Sequence, residues 1–462
     1  MNITSNLFLF LFLPIILCFY FLAGKRKLRN GLLLLASLFF YAWGEPKNIA
    51  LLLCIATVNY LIAHIQSKTE QKNSKRILLF VAVMGNVLVL LYYKYLIFFA
   101  AFLPQPLQTE VTGLAADSLP LGISFFTFKI ISYQVDVYRD QELGQYGFLN
   151  FLFYVSFFPQ ILSGPITRFA PTNEQLSTRK VTREGFLMGT ERIMLGFAKK
   201  MVIANQVAMV ANSAYSLEKL TIPMAWLGSL AYTLQLYFDF SGYSDIAIGL
   251  GKLFGFDTIE NFNYPYIATS IQDFWRRWHI SLSSWFRDYV YIPLGGSRCA
   301  LPRTCLNTIV VFSLTGLWHG ASWTFVVWGL YHALFLVLER TLLKPILIRL
   351  PKAVCWIYAL LVINTGWIFF RAATLSQAFA YIAALFGTTK GGLIQILQNI
   401  TFENAVTMVA GAVFALPVWP KMRKLLDEKL PGVTLILIIS IFLVAILYMA
   451  GSDFSPFLYV QF

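Results

Sequence analysis

Residues 432 to 450 form one apolar run with no charged side chain, preceded by the basic residues Lys421, Arg423, Lys424 and Lys429. Lipid offers no partners to backbone N–H and C=O groups, so such a run crosses a bilayer as a helix. Comparable runs recur at about 7–23, 31–43, 48–65, 77–103, 119–138, 221–256, 320–338, 353–370 and 402–420. The chain is 58% hydrophobic and 13% charged, against roughly 25% charged in soluble domains. It reads as an all-α polytopic membrane protein.

The net charge of +14 does not point to nucleic acid. Basic residues are dispersed among short loops between apolar spans, where they mark the cytoplasmic side. The clusters Lys25–Arg29 and Lys68–Arg76 alternate with base-poor connections, which places the N-terminus outside, and the same alternation carried forward places the C-terminus outside. The first run has its positive residues after it, the reverse of a cleavable signal peptide, and so reads as a retained helix. Residues 31–43 fall short of the ~20 needed for a perpendicular crossing and would be tilted or partly re-entrant.

Pro159, Gly164 and Pro165 break residues 148–166, and a full crossing there would put Arg168 to Arg183 outside, so this segment reads as re-entrant. Residues 184–214 mix charge and apolar character and suit a helix at the cytoplasmic face. The five cysteines form no CxxC pair, indicating neither a disulfide framework nor a metal site. Without an internal repeat, residues 1–450 read as one transmembrane core and 451–462 as an extracytoplasmic tail.

Three of the four histidines, His279, His319 and His332, lie within residues 273–332. An ionisable group in an apolar segment is a functional candidate; hydrogen-bonded core packing is the ordinary alternative. His319 lies among small residues (Gly316, Gly320, Gly329) that permit close approach and indoles (Trp318, Trp323, Trp328) that could wall a site. A neutral imidazole there can take a proton from a hydroxyl nucleophile. His332 reads as a packing residue.

Asp239 and Asp245 are six residues apart and do not share a helix face, which speaks against a paired-carboxylate mechanism. Capping around Gly242 and lining of a polar tunnel both remain open. Arg276 and Arg277, in the run WRRWH, could match phosphate geometry or simply meet lipid headgroups. No GxGxxG, P-loop or GxSxG is present. The ending FSPFLYVQF carries Phe454, Phe457, Tyr459 and Phe462, an arrangement that ordinarily forms an interfacial aromatic belt.

The run RRWHISLSSWFRDYVYIPLGG, the WHG about forty positions on, and YFDFSGYSDIAIGLGKLFG upstream resemble the membrane-bound O-acyltransferase family. The likeness is to its bacterial polysaccharide branch, covers about residues 119–340, and returns at the C-terminus. It implies about a dozen transmembrane or re-entrant helices around a central tunnel. It further implies that His319 is the catalytic histidine, with His279 at a second polar position in that tunnel. Arg276, Arg277, Asn261, Trp318 and Asp239 become candidates for donor binding, with acetyl-CoA as donor substrate and no tightly bound cofactor or metal.

The tail resembles a motif of that branch whose tyrosine is proposed to carry the acyl group, which makes Tyr459 a third catalytic candidate. A phenol with a reference pKa near ~10 can be activated by a nearby base, and its ester can pass the acyl group onward. The expected activity is transfer of acetyl across the bacterial cytoplasmic membrane for O-acetylation of a cell-surface polysaccharide such as alginate or peptidoglycan. The expected partner is an exported acetyltransferase of the SGNH-like serine-hydrolase type. D-alanyl transfer to teichoic acid and transport of a lipid or small solute are the alternatives. Against the first stands a tyrosine motif within the chain rather than on a separate peptide; against the second, the missing repeat and few intramembrane carboxylates.

Overall fold

The computed structural model describes residues 1–114, 119–387, 392–451 and Phe457. Among them every regular element is a helix. The chain divides into two compact units, one made of residues 1–190 and 247–259, the other of 191–246 and 260–460.

In the first unit, α1 (Ile49–Lys68), α2 (Lys72–Ala100) and α3 (Ile123–Arg139) are tied by buried amides. Asn86 Nδ2 donates to Asn59 Oδ1 over 2.7 Å, and Gln134 Nε2 donates to the Asn59 carbonyl over 2.7 Å. These bonds between distant amides give the apolar helices a fixed register. The helix α4 (Phe148–Ser156) stops before Pro159, and the turns after it are buried. Lys129 covers this broken backbone, donating to the Tyr154 carbonyl (3.0 Å) and to Gln160 Oε1 (3.1 Å), which also accepts from Thr167 Oγ1 (3.0 Å). Irregular backbone is tolerated at this depth because protein surrounds it.

The second unit holds most of α5 (Arg183–Ser216) and α6 (Ile222–Leu253). A Cβ on Gly196 would meet the Gly242 carbonyl oxygen at 2.7 Å, and one on Gly242 the Gly196 oxygen at 2.8 Å, so the two backbones cross here. Gly242 therefore serves close approach inside an unbroken helix and is not part of a cap. Two aspartates flank the crossing. Asp245 accepts from Lys199 Nζ (2.6 Å) and Arg192 (2.9 Å), while Asp239 pairs with Lys200 (2.6 Å), so the carboxylates are neutralised separately.

The rest of this unit is α7 (Ile271–Arg277), α8 (Ile280–Phe286), α9 (Leu301–His319), α10 (Trp323–Arg349), α11 (Lys352–Arg371) and α12 (Val433–Gly451), with shorter helices between them. Its core is aromatic, including Trp278, Trp328 and Trp367, each at most 1% exposed.

Among the described residues six helices (α1, α2, α5, α10, α11 and α12) are long and apolar enough to cross a membrane. A seventh is counted if Phe402–Phe414 and Val418–Lys429, bent by 82°, form one broken span. This count of spans does not confirm the expected dozen or so transmembrane or re-entrant helices; among the helices that fall outside it, Phe8–Leu22 is short and Arg26–Gly44 carries three basic residues. Two segments differ from expectation. The run at 402–420 is bent, with Pro417 at the break, where its ring and missing N–H interrupt the helix. Arg183–Ser216, read as a surface helix, has the length and apolar content of a span, and its Arg192, Lys199 and Lys200 are paired with carboxylates of α6.

Candidate active site

The site is built on the start of α7. The Glu339 carboxylate accepts from Ile271 N (2.6 Å) and Gln272 N (3.0 Å), and Ser270 Oγ accepts from Asp273 N (3.0 Å). These bonds satisfy the open N–H groups of the helix end. Four residues on, Arg277 Nε reaches both Asp273 oxygens at 3.0 Å and Arg277 Nη1 donates to the Asn263 carbonyl. Of the two arginines in WRRWH, Arg277 is thus held by the fold and Arg276 is exposed.

At His279 the backbone takes φ 44°, ψ 54°, the left-handed region, which is rare outside glycine. Asn261 holds it there. The Asn261 carbonyl accepts from Ile280 N (3.0 Å), and its Oδ1 accepts from Ser281 N (3.1 Å) and Ser281 Oγ (2.9 Å). A backbone N–H can only donate, so the atom facing it is the amide oxygen. His279 Nδ1, 3.2 Å from the same oxygen, must therefore carry a proton, and Nε2 is the basic nitrogen of the neutral ring. Asn261 Nδ2 donates to Ser244 Oγ on α6 (3.1 Å). Burial pushes the His279 imidazole down to about 3, so it is neutral at physiological pH.

His319 closes α9 and is 2% exposed. Its ring lies 4.8 Å from Trp318, 5.0 Å from Trp328 and 5.0 Å from Phe370 of α11. Close approach of α9 and α10 makes this chamber. A Cβ on Gly316 would meet the Phe325 carbonyl oxygen at 2.4 Å, and one on Gly329 the Phe312 oxygen at 2.3 Å. Trp318 also lies 6.1 Å from His279, so one indole neighbours both histidines. Trp323 is 51% exposed at the start of α10, and Phe370 stands in the wall instead. Only its place in an apolar run marks Phe370 in the sequence. His332 is buried among Trp275, Trp328 and Tyr331.

A cavity of about 850 Å³ opens beside α7, lined by Arg276, Arg287, Arg340, Lys344 and Lys352, with Glu339 and Trp275 on its wall. Trp275 packs 5.8 Å from Trp328, which in turn meets His319. The sequence assigns most of these cations only to the cytoplasmic charge bias; the fold gathers them.

Asp239 is 1% exposed and held by Lys200. Its neighbour Phe240 stands edge-on to His279 at 4.7 Å. Phe457 is also buried, its ring 4.9 Å from Tyr243. Tyr459 lies outside the described residues, among which no group of three or more His, Cys, Asp or Glu side chains could hold a metal ion.

Two buried histidines beside a shared indole, one of them a neutral ring with a fixed tautomer, next to a cationic cavity, are the groups that proton transfer near an anionic substrate would use in a helical membrane protein. The chain belongs to the membrane-bound O-acyltransferase family, whose model matches residues 121–375. It is 38% identical to the probable alginate O-acetylase AlgI of Azotobacter vinelandii over the whole of both chains. It is 36% identical to the peptidoglycan O-acetyltransferase of Helicobacter pylori, covering 87% of this chain and 83% of that one. It is 32% identical to the teichoic acid D-alanyltransferase of Bacillus subtilis over 47% of this chain and 58% of the relative. The protein is a multi-pass membrane acyltransferase.

Proposed function

We propose that this acyltransferase moves acetyl groups from cytosolic acetyl-CoA across the bacterial cytoplasmic membrane for O-acetylation of a cell-surface polysaccharide. Full-length similarity to an alginate O-acetylase, at 38% identity, supports acetyl over D-alanyl, since the likeness to two D-alanyltransferases is lower, at 32% and 28% identity, and covers 47% and 64% of the chain. The observation that carries the reading is His319, buried at the end of α9 and one indole away from a second imidazole whose tautomer is set.

In this reading His319 takes the phenolic proton of Tyr459 while the phenol oxygen attacks the thioester carbonyl. The C–S bond breaks, and the departing thiolate takes the proton back from the imidazolium. His279, through Nε2, orients or polarises the reacting groups, and Asn261 acts through His279. The acetyl-tyrosine ester then passes its acyl group to a hydroxyl of an exported SGNH-like partner or of the polysaccharide itself. Both chain termini would be extracytoplasmic. The cavity cations, Arg276 among them, would hold the phosphates of acetyl-CoA, as guanidinium groups suit. Trp318 would line the path of the acyl group, and Asp239 would act from behind Phe240.

The direct test is to measure O-acetyl content of the surface polysaccharide in cells carrying His319→Ala. The reading expects acetylation to vanish while the protein remains in the membrane; normal acetylation would overturn it.

A further inference from the structure

In the scheme above Asp239 acts only from behind Phe240 and its partner Lys200 has no role, although the buried Lys200–Asp239 pair is not the sole bridge between α5 and α6. Asp245, Lys199 and Arg192 already bridge those helices beside the glycine crossing. Lys200 and Asp239 are far more deeply buried than that bridge, with side chains 3% and 1% exposed. Burying two charges costs desolvation that their mutual attraction offsets only in part, so a pair at this depth invites a functional account. Lys200 sits in the π-helical segment Lys199–Ala204 of α5, a local widening that functional sites often use.

A third group meets the pair. Lys200 Nζ lies 4.9 Å from the centre of the Phe457 ring, within cation–π range. Tyr243, one turn beyond Asp239 on α6, meets the same ring edge-on at 4.9 Å and 86°. Phe457 is 1% exposed, although it belongs to no helix and follows the last span. The residue next to Asp239 is Phe240, the ring that meets His279.

We propose that Lys200, held by Asp239, together with Tyr243 forms a seat for Phe457, and that this seat is a positioning device for the C-terminal segment. Asp239 fixes the ammonium, and the ammonium and the Tyr243 ring grip the Phe457 ring. Tyr459 follows by two residues, which extend at most about 7 Å. The purpose of the seat rests on the tyrosine relay; the seat itself does not.

The test uses the full chain, purified in detergent, and hydroxyl-radical footprinting of Phe457 by mass spectrometry. Wild-type Phe457 should be modified at least tenfold more slowly than in the unfolded protein. The double variant Lys200→Met/Asp239→Leu leaves no unpaired buried charge, and in it Phe457 modification should rise at least fivefold. Unprotected Phe457 in wild type, or equal protection in wild type and double variant, would overturn the seat.

A second readout is single-turnover acetylation of Tyr459. Phe457→Ala should slow it at least tenfold with the half-saturating acetyl-CoA concentration unchanged, and Phe457→Tyr should restore it. An unchanged rate in Phe457→Ala would overturn the positioning role. Protection of Phe457 without any acetylation of wild-type Tyr459 would support the seat and sink the relay.

Discussion

His279 Nδ1 lies 3.2 Å from Asn261 Oδ1, and the two Ser281 donors on that same oxygen decide which imidazole nitrogen is basic. A fixed tautomer is what a residue that orients or accepts a proton requires. Asn261→Ala removes the acceptor and leaves buried donors unpaired, at a cost of about 1–3 kcal/mol. Acetyl transfer should fall about tenfold or more, whereas Asn261→Asp, which keeps an acceptor there, should retain more activity than Asn261→Ala. Equal rates in both variants would remove the tautomer from the mechanism.

Acid sensitivity follows from the same residue. His279 is neutral when folded because burial holds its imidazole at about 3, whereas the unfolded chain binds a proton near ~6.5. Its stabilising contribution is therefore complete above about pH 6.5 and is lost as pH falls from there toward about 3. In detergent, the Tm of wild type should drop more steeply across that interval than the Tm of His279→Gln. Parallel curves would contradict the burial of a neutral ring.

The cationic cavity predicts a separation of kinetic effects. If Arg276 and Lys344 hold phosphate, each charge-assisted bond contributes about 1.5–3 kcal/mol. Neutralising either one should raise the KM for acetyl-CoA about tenfold or more and leave kcat nearly unchanged, the signature of lost uniform binding. An unchanged KM would assign these residues to lipid headgroups.

The crossing of α9 and α10 tolerates no added volume, since a Cβ on Gly329 falls 2.3 Å from the Phe312 oxygen. Gly329→Val should destabilise the protein by about 1–3 kcal/mol or more, visible as a lower Tm. It should also reduce acetyl transfer, because His319 stands at the end of α9. An unaltered Tm would mean that the helices can part without cost.

Much of this was legible in the chain itself. The apolar runs and the break after Ser156 follow from local composition, because membrane burial and helix interruption are local constraints; His319 is singled out by its glycine and indole neighbours, whereas the place of His279 beside it rests on the family resemblance. What stayed hidden depends on contacts between distant segments. Phe370 reaches His319 from 51 positions away, and nothing in its own run distinguishes it from Phe369. Lys199 and Lys200 look like membrane-surface charges until α6 brings Asp245 and Asp239 against them. Trp323 illustrates the converse: proximity in sequence put it in the wall, but its place at the start of α10 leaves it half exposed. Arg276 and Arg277 part company because Asp273 stands one helical turn before Arg277 and captures it.

The central claim is an acetyl-tyrosine formed under the control of His319, and mass spectrometry of the C-terminal peptide after incubation of the purified protein with acetyl-CoA tests it most directly. The account predicts one acetyl group on Tyr459 in wild type and at least a hundredfold less in His319→Ala, in keeping with loss of a general base. A folded wild-type protein that never acquires the acetyl group, or a His319→Ala variant that acquires it normally, would contradict it.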